Sequence, residues 1–260
     1  MTFAIDLTGR RALITGAGQG VGLATAHALA QAGAEILVND IRPEQADTAV
    51  AELGAAGGRG VAVPFDVTSW KEVEAAVGSC GTVDILVNNA GNAGAEGFTG
   101  IVNFVDSHPA DWQRFFAVNL FGVMHCTKAV LPSMIEAGSG RIVTIISDAA
   151  RTGEAKLSAY AAAKAGAAGF CRSIAREVGR HAITVNCISL GNIATPDTAP
   201  PPPETPEQHE RERSFLRPYV IRRRGRPEDV AGLVTYLASP LAEWVTGQTY
   251  ALNGGYTFSQ

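Results

Sequence analysis

The chain has 260 residues, of which 46% are hydrophobic and 18% charged, with a formal net charge of −4. This composition excludes a disordered polymer and supplies enough apolar side chains for one large α/β domain, so we expect residues 1–260 to form a single unit. The acidic balance gives no electrostatic reason to bind nucleic acid, and we expect no such partner.

The first ten residues lack the basic-then-apolar pattern of a secretory signal. No apolar run approaches the roughly 18 residues that are needed to cross a bilayer. We therefore expect a cytoplasmic protein without a membrane partner. The four cysteines, Cys80, Cys126, Cys171 and Cys187, are scattered without a C-x-x-C pair, which favours reduced structural thiols over a metal site.

Short apolar runs alternate with longer helical stretches along the chain. The runs that predict strands are residues 12–15, 35–39, 61–65, 84–87, 141–146, 184–188 and 248–252. The predicted helices are residues 21–31, 43–53, 70–77, 111–135, 158–180 and 227–238. Nearly continuous apolar strands between helices predict a parallel sheet that is covered on both faces. The predicted fold class is α/β, a doubly wound Rossmann-type domain with a seven-stranded, mainly parallel sheet.

The first predicted strand runs into a glycine-rich turn, Thr15-Gly16-Ala17-Gly18-Gln19-Gly20-Val21-Gly22. Glycine lets the backbone approach a pyrophosphate, and the start of the next helix offers free N–H groups and a positive dipole. The spacing is G-x-x-x-G-x-G, which differs from the G-x-G-x-x-G of the common dinucleotide fingerprint. Dinucleotide binding and a turn that only permits tight packing both stay open.

Asp40 follows the second predicted strand. A carboxylate at this place accepts hydrogen bonds from both adenosine ribose hydroxyls and repels a 2′-phosphate. Ala17, Gly18 and Gln19 include no basic residue, although Arg42 lies nearby. The pattern therefore predicts NAD and not NADP as the cofactor, with an ordinary solvated turn residue as the alternative.

Tyr160 and Lys164 are four residues apart on a predicted helix and so share one face. A free tyrosine has a pKa of about 10, and a neighbouring ammonium stabilises the phenolate and lowers that pKa. Ser147 ends an earlier predicted strand, where its hydroxyl can bind a substrate oxygen. Each residue alone is more often a helix surface pair or a turn former than a catalytic group.

These motifs occur together and in one order, with Asn88-Asn89-Ala90-Gly91 and Asn119 between them and a Gly-Gln-Thr-Tyr-Ala-Leu-Asn-Gly-Gly run at residues 247–255. The chain resembles the short-chain dehydrogenase/reductase family over essentially its whole length. The resemblance implies an NAD(H)-dependent oxidoreductase that interconverts a secondary alcohol and a ketone. It also implies a homotetramer with dimer faces formed by two long helices.

The resemblance assigns a role to individual residues. It makes Tyr160 the general acid/base and Ser147 the holder of the substrate oxygen. Lys164 would bind the nicotinamide ribose, and Asn119 would support a water relay. The implied cofactor contacts are Gly16, Gln19, Gly20, Val21, Gly22, Asp40, Ile41, Asp66, Val67, Asn88, Ala90, Gly91, Tyr160, Lys164, Gly191, Ile193 and Thr195.

Two segments depart from the family pattern. Leu190 stands where a proline usually precedes Gly191, which leaves the rigidity of that loop open. Residues 92–109 form a rather long segment that adds a pocket wall or is only a surface excursion. Residues 195–206 are rich in proline and predict a loop within a substrate loop or lid region at 192–226, with a surface connection as the alternative.

The substrate is the least defined feature. Residues 147–154 are similar to family members that oxidise cyclic alcohols or hydroxyacyl coenzyme A thioesters, which makes both classes candidates. The basic run at 222–226 either binds phosphates of such a carrier or is a solvated helix lead-in. The alternatives are a 3-oxoacyl-thioester (acyl carrier protein) reductase, a non-catalytic dinucleotide-sensing protein and, with little room for it, a sugar-nucleotide epimerase or dehydratase.

Overall fold

The computed structural model describes residues 4–91, 102–195 and 198–258. It contains a seven-stranded sheet in the order β3-β2-β1-β4-β5-β6-β7, in which every pairing is parallel. The strands are β1 Arg11–Ile14, β2 Glu35–Val38, β3 Arg59–Ala62, β4 Ile85–Asn88, β5 Gly140–Ser147, β6 Ile183–Leu190 and β7 Thr249–Leu252. The strand order reverses between β1 and β4, which opens a crevice at the carboxyl ends of these strands. The predicted fold class is confirmed.

Helices cover both faces of the sheet. Their bounds are α1 Gly20–Gln31, α2 Pro43–Ala55, α3 Trp70–Ser79, α4 Pro109–Phe116, α5 Gly122–Ala137, α6 Ala149–Thr152, α7 Ser158–Val178, α8 Pro206–Leu216 and α9 Pro227–Ala238. Buried side chains of α1, α2 and α9 pack on one face, and those of α3, α5 and α7 pack on the other. Because strand side chains are buried on both sides, the strands read as continuous apolar runs.

The third strand lies earlier in the chain than predicted. Val63 and Phe65, placed in a strand by their apolar character, follow β3. The side chain of Asn39 donates hydrogen bonds to the carbonyl oxygens of Val63 and Phe65 at 3.2 and 3.0 Å. The Val63 amide still donates to the Val38 carbonyl oxygen at 2.8 Å, while the Asn39 side chain satisfies the carbonyl groups that a longer strand would pair.

The predicted helix at 111–135 is interrupted by five π-helical residues, Ala117–Phe121, between α4 and α5. Such segments often occur at functional sites, and this one contains the buried Asn119. By length and composition alone the run Pro109–Ala137 would suffice to cross a membrane, contrary to the expectation from sequence. Its residues Val123, Val130 and Met134 pack in the core beside the sheet, which accounts for the apolar character of one side.

Helices α6 and α8 were not predicted from the sequence. Helix α8 lies inside the predicted lid region, directly after the proline-rich loop. Thr205 accepts a hydrogen bond from the Gln208 amide at 3.2 Å, and the Gln208 side chain accepts one from the Thr205 amide at 3.1 Å. Together with Pro206 in the first turn, this capping box is a sequence pattern that is typical of the start of a helix. Most of the predicted long segment 92–109 falls outside the described residues.

Candidate active site

A cavity of 720 Å³ opens at the carboxyl ends of β5 and β6. Its walls come from these strand ends, from α7, from α8 and from the C-terminal segment. The predicted site residues that line it are Val21, Gly91, Ser147, Tyr160, Lys164, Gly191, Ile193 and Thr195. The fold therefore brings the predicted catalytic residues together with part of the predicted cofactor segment.

Ser147, Tyr160 and Lys164 meet on one wall of this cavity. Ser147 ends β5, and its hydroxyl forms hydrogen bonds with the Tyr160 hydroxyl and the Ala149 amide. Lys164 lies one helical turn beyond Tyr160, with its Nζ 6.0 Å from the centroid of the tyrosine ring. That Nζ donates a hydrogen bond to the Ile145 carbonyl oxygen at 2.9 Å, which fixes the lysine against β5.

Burial controls the protonation of this group. It raises the pKa of Tyr160, with a smaller contribution from the Glu154 carboxylate, while the Ser147 hydrogen bond opposes the increase. Burial also lowers the pKa of Lys164 to about 8. The sequence predicted that the Lys164 ammonium would lower the pKa of Tyr160, and that direction is wrong. Loss of hydration dominates, and the Ile145 carbonyl holds the lysine.

Asn119 approaches the same group from the π-helical segment. Its Nδ2 donates to the Phe115 carbonyl oxygen at 3.0 Å, and the residue is fully buried. A side chain at Gly91 would place its Cβ 2.8 Å from Asn119 Oδ1 and 2.9 Å from Lys164 Nζ. Gly91 therefore provides the space in which the asparagine and the lysine come close together.

The glycine-rich turn combines tight packing with an open helix start. A Cβ at Gly22 would lie 2.3 Å from the Gly16 carbonyl oxygen, so the third glycine is required for the approach of α1 to the turn. Gly16 and Gly20 have φ values of +61° and +57°, a region that favours glycine. No side chain caps the start of α1. Its first amides could therefore fit the pyrophosphate of a dinucleotide, and the tight packing of the turn is also present.

Asp40 lies beside this turn. Its Oδ2 accepts a hydrogen bond from the Gly18 amide at 3.3 Å, and its Oδ1 accepts one from the Arg42 amide at 3.1 Å. A Cβ at Gly18 would come 2.7 Å from Asp40 Oδ2. The turn and the carboxylate thus form one surface, which fits a ribose with free hydroxyls. The Arg42 side chain is half exposed and lies 3.7 Å from Asp40 Oδ1.

Some predicted contacts have other partners. The Asn88 side chain donates to the Thr127 and Thr144 hydroxyls, both at 3.3 Å, behind the sheet edge. Asn89, which was not predicted, lines the cavity. Asp66 binds the Thr68 amide at 2.8 Å and does not line the cavity described here.

Two further predicted cofactor contacts, Val67 and Ile41, also lie away from the cavity. The Val67 side chain is buried against α5, and its carbonyl oxygen contacts the His125 ring at 2.9 Å. Ile41 is exposed beside Asp40.

Thr15 and Asn39, which were not predicted as site residues, hold the backbone around the glycine-rich turn by hydrogen bonds. The Thr15 hydroxyl accepts hydrogen bonds from the Asn89 and Ala90 amides at 3.0 and 2.9 Å. The Asn39 backbone carbonyl accepts one from the Ala17 amide at 2.7 Å. In the sequence, a polar residue directly follows each of β1 and β2. Because the carboxyl ends of parallel strands meet at one edge of the sheet, this pattern indicates residues that could contact each other there.

The loop after β6 is held without the proline that the family usually has. Leu190 remains in β6, paired with Ser147 on one side and Leu252 on the other. Beyond it, the Gly225 amide donates to the Asn192 carbonyl oxygen at 3.0 Å, and the Ala194 amide donates to the Gly225 carbonyl oxygen at 2.9 Å. These hydrogen bonds belong to an isolated parallel bridge between Ile193 and Gly225, which ties the loop to the segment before α9.

Comparison with known proteins gives relatives across the chain. Residues 16–257 match the model of a family described as enoyl-(acyl carrier protein) reductase. The 7alpha-hydroxysteroid dehydrogenase of Escherichia coli K12 is 39% identical over 255 residues, which cover 96% of this chain and 95% of that protein. A 3-oxoacyl-[acyl-carrier-protein] reductase of Synechocystis is 38% identical, with 96% and 97% covered.

Solved structures agree with these relatives. A 7 alpha-hydroxysteroid dehydrogenase complexed with NADH and 7-oxo glycochenodeoxycholic acid has a TM-score of 0.86 and 37% identity, covering 97% of this chain and 96% of its own. A 3-oxoacyl-[acyl-carrier protein] reductase of Brucella melitensis has a TM-score of 0.87 and 33% identity, covering 97% and 93%.

The hydrogen bond from Ser147 and the charge of Glu154 should change the pKa of Tyr160 in opposite directions. Ser147→Ala removes a hydrogen bond that stabilises the phenolate, so the pKa should rise. Glu154→Gln removes a negative charge that destabilises the phenolate, so the pKa should fall. Carbon-13 NMR of the tyrosine Cζ atoms across pH measures both, with Tyr160→Phe to assign the signal. A shift in the same direction for both variants would contradict this electrostatic account.

Proposed function

The chain belongs to the short-chain dehydrogenase/reductase family, and we propose that Ser147, Tyr160 and Lys164 are the site at which it interconverts a secondary alcohol and a ketone with NAD(H). The family match and the relatives establish the class, an oxidoreductase that acts on CH–OH groups. The observation that carries the proposed site is a single cavity that joins these residues to the Gly191–Thr195 loop and to Val21 at the start of α1. In this proposal residues 1–260 act as one unit.

NAD(H) accepts or donates the hydride when it is bound. The start of α1 would hold its pyrophosphate through backbone amides. Asp40 would accept hydrogen bonds from the adenosine ribose hydroxyls and repel a 2′-phosphate. Thr195 lies above the same turn, because a Cβ at Gly20 would be 3.2 Å from its methyl group. These contacts support a dinucleotide that runs from Asp40 into the cavity.

Tyr160 would move the proton. Its hydroxyl would donate a proton to the carbonyl oxygen in ketone reduction and accept one from the alcohol in oxidation, while Ser147 binds the same oxygen. A raised pKa keeps the phenol protonated at neutral pH, which suits the reduction direction. Lys164 would bind the nicotinamide ribose, and Asn119 would hold a water that renews the proton. The presence of all four groups speaks against a purely dinucleotide-sensing role.

Two substrate classes follow from the relatives. A cyclic alcohol or ketone is supported by the hydroxysteroid dehydrogenases, and a 3-oxoacyl thioester is the second candidate, supported by the acyl-carrier-protein reductases. The basic run does not favour a coenzyme A carrier. Arg223 pairs with Asp229 at 2.6 Å, and Arg224 pairs with Glu212 at 2.8 Å. These two guanidinium groups therefore already have carboxylate partners within the chain that phosphates of a carrier would have to replace.

We propose a cytoplasmic homotetramer. Large apolar side chains remain exposed in α5 and just before it, namely Phe121, Met124 and Ile135. Helix α7 is rich in alanine and glycine, which permits close helix packing. Light scattering of the purified protein should give about four times the chain mass of 27.1 kDa. A monomer at micromolar concentration would contradict the assembly.

Tyr160→Phe should remove most of the activity and leave NADH binding intact. Loss of a general acid/base group lowers turnover by roughly 10²–10⁴-fold. The phenylalanine ring fills the same space but has no hydroxyl proton to transfer, so NADH binding should be retained. Ketone reduction followed by NADH absorbance and NADH binding followed by fluorescence separate the two effects. Tyr236→Phe on α9 is the matched control and should keep activity. Wild-type turnover in Tyr160→Phe would overturn the proposed mechanism.

Asp40→Ala should relax the discrimination against NADPH. The carboxylate repels a 2′-phosphate, so we expect the ratio of kcat/KM for NADPH to that for NADH to rise by roughly 10–100-fold, the size of one lost charge contact. Asp47→Ala on the exposed side of α2 makes the same chemical change away from the turn and should leave the ratio unchanged. A wild-type preference for NADPH would show that the ribose argument is wrong.

A further inference from the structure

Aromatic rings form one part of the cavity wall beyond the catalytic residues. Phe215 of α8, Tyr219 after it and Tyr256 near the C-terminus all line the cavity. The Phe215 and Tyr219 rings are stacked with centroids 6.1 Å apart, and those of Tyr219 and Tyr256 are 5.0 Å apart at an angle of 32°. Three neighbouring rings from two separate segments present apolar faces to a ligand.

Polar contacts of Arg224 and Asn192 connect these rings to neighbouring segments. The Arg224 guanidinium lies 3.9 Å from the centroid of the Phe215 ring and pairs with Glu212 on the same helix. Arg224 also donates to Asn192 Oδ1 at 2.9 Å, and the Asn192 backbone forms a hydrogen bond with the Tyr219 hydroxyl. These contacts restrain the rings, so stacking on them should require little further loss of side-chain freedom.

The charge on the cavity wall is acidic. Asp148 and Glu154 both line the cavity, but Asp148 is buried, pairs with Arg151 and accepts a hydrogen bond from Ser189 at 2.6 Å. Glu154 is exposed, and within the described residues no ion pair involves it. Its charge reaches both Tyr160 and Tyr219, since it raises the pKa of each.

Among the described residues that line the cavity, Lys164 is the basic one. Its Nζ is already bonded to the Ile145 carbonyl oxygen, and burial lowers its pKa to about 8. An acidic group that enters between Tyr160 and the aromatic wall would meet the exposed Glu154 carboxylate, whereas the Lys164 ammonium is buried and held against β5 by the Ile145 carbonyl oxygen.

We propose that the substrate is a ring-containing ketone or alcohol that stacks on Phe215, Tyr219 and Tyr256 and carries no acidic group on the part that reaches Glu154. The inference rests on the proposed function and narrows its substrate class. Flat rings gain from offset or edge contacts with aromatic side chains. A carboxylate is disfavoured by Glu154, an effect that salt should weaken because Glu154 is exposed.

The test uses the full chain with NADH and compounds that differ in one property at a time. Chroman-4-one is a neutral ring ketone, and 4-oxochroman-2-carboxylate and its methyl ester differ in charge at similar size. The acyclic 2-octanone lacks the ring. We expect kcat/KM for the ester to exceed that for the carboxylate by roughly tenfold, the effect of one nearby charge. We also expect chroman-4-one to exceed 2-octanone by a similar factor.

Variants connect each preference to its residue. Glu154→Gln should raise the carboxylate-to-ester ratio by roughly tenfold, and 0.5 M NaCl should raise that ratio in the wild type but not in the variant. Glu243→Gln, at an exposed position outside the cavity, is the charge control. Tyr219→Leu should lower the ratio of chroman-4-one to 2-octanone, and Trp244→Leu, another exposed residue outside the cavity, controls for loss of an aromatic residue.

Calorimetry of the same compounds with the NADH-loaded protein gives their order of affinity without turnover. The inference is overturned if the carboxylate binds as tightly as its ester, or if 2-octanone binds as tightly as chroman-4-one. The proposed function fails separately, if the ligands bind in the expected order but no ketone is reduced in a Tyr160-dependent way. Binding in the expected order, with Glu154→Gln removing the charge preference, supports the substrate class.

Discussion

The site depends on a sheet that is buried on both faces. Parallel strands need helical crossovers, so every strand delivers its carboxyl end to the same edge. The order reverses between β1 and β4, and no helix covers the edge at such a reversal. Residues that follow separate strands, such as Thr15, Asn89 and Ser147, therefore meet at one edge although they are far apart in sequence.

Close backbone approach turns that edge into a binding surface. Gly22 lets α1 pack against the Gly16 carbonyl, and Gly91 leaves space for Asn119 and Lys164. Hydrogen bonds from the Asn89 and Ala90 amides to the Thr15 hydroxyl tie the end of β1 to the end of β4. The glycines and this hydroxyl act together, because a flexible turn without fixed partners would not hold a phosphate at a defined distance from Tyr160.

The features that were predictable from sequence are those set by short-range pattern. Apolar runs predicted seven strands, of which β3 lies earlier in the chain than predicted. The four-residue spacing of Tyr160 and Lys164 predicted that both side chains share one face of a helix. The misses come from contacts between distant residues. The Asn39 side chain binds the Val63 carbonyl oxygen while the Val63 amide still donates to Val38, and this role follows only when β2 and β3 lie side by side. Helix α8 is a different case. The capping box at Thr205 indicates a helix start from sequence alone, but the neighbouring prolines favoured the prediction of a loop.

The pKa of Tyr160 shows why the chemistry needed the fold. From sequence, a lysine four residues away predicts a lowered pKa, since only the charge is visible. In the structure both groups are buried, and loss of hydration acts on each toward its neutral form. With its pKa raised, the Tyr160 phenol stays protonated near neutral pH, which is the form that the proposed reduction of a ketone requires. The Glu154 carboxylate adds a separate electrostatic contribution, because its charge raises the pKa of both Tyr160 and Tyr219. In the proposed function, one carboxylate would thus influence both the proton donor and the kind of substrate that approaches it.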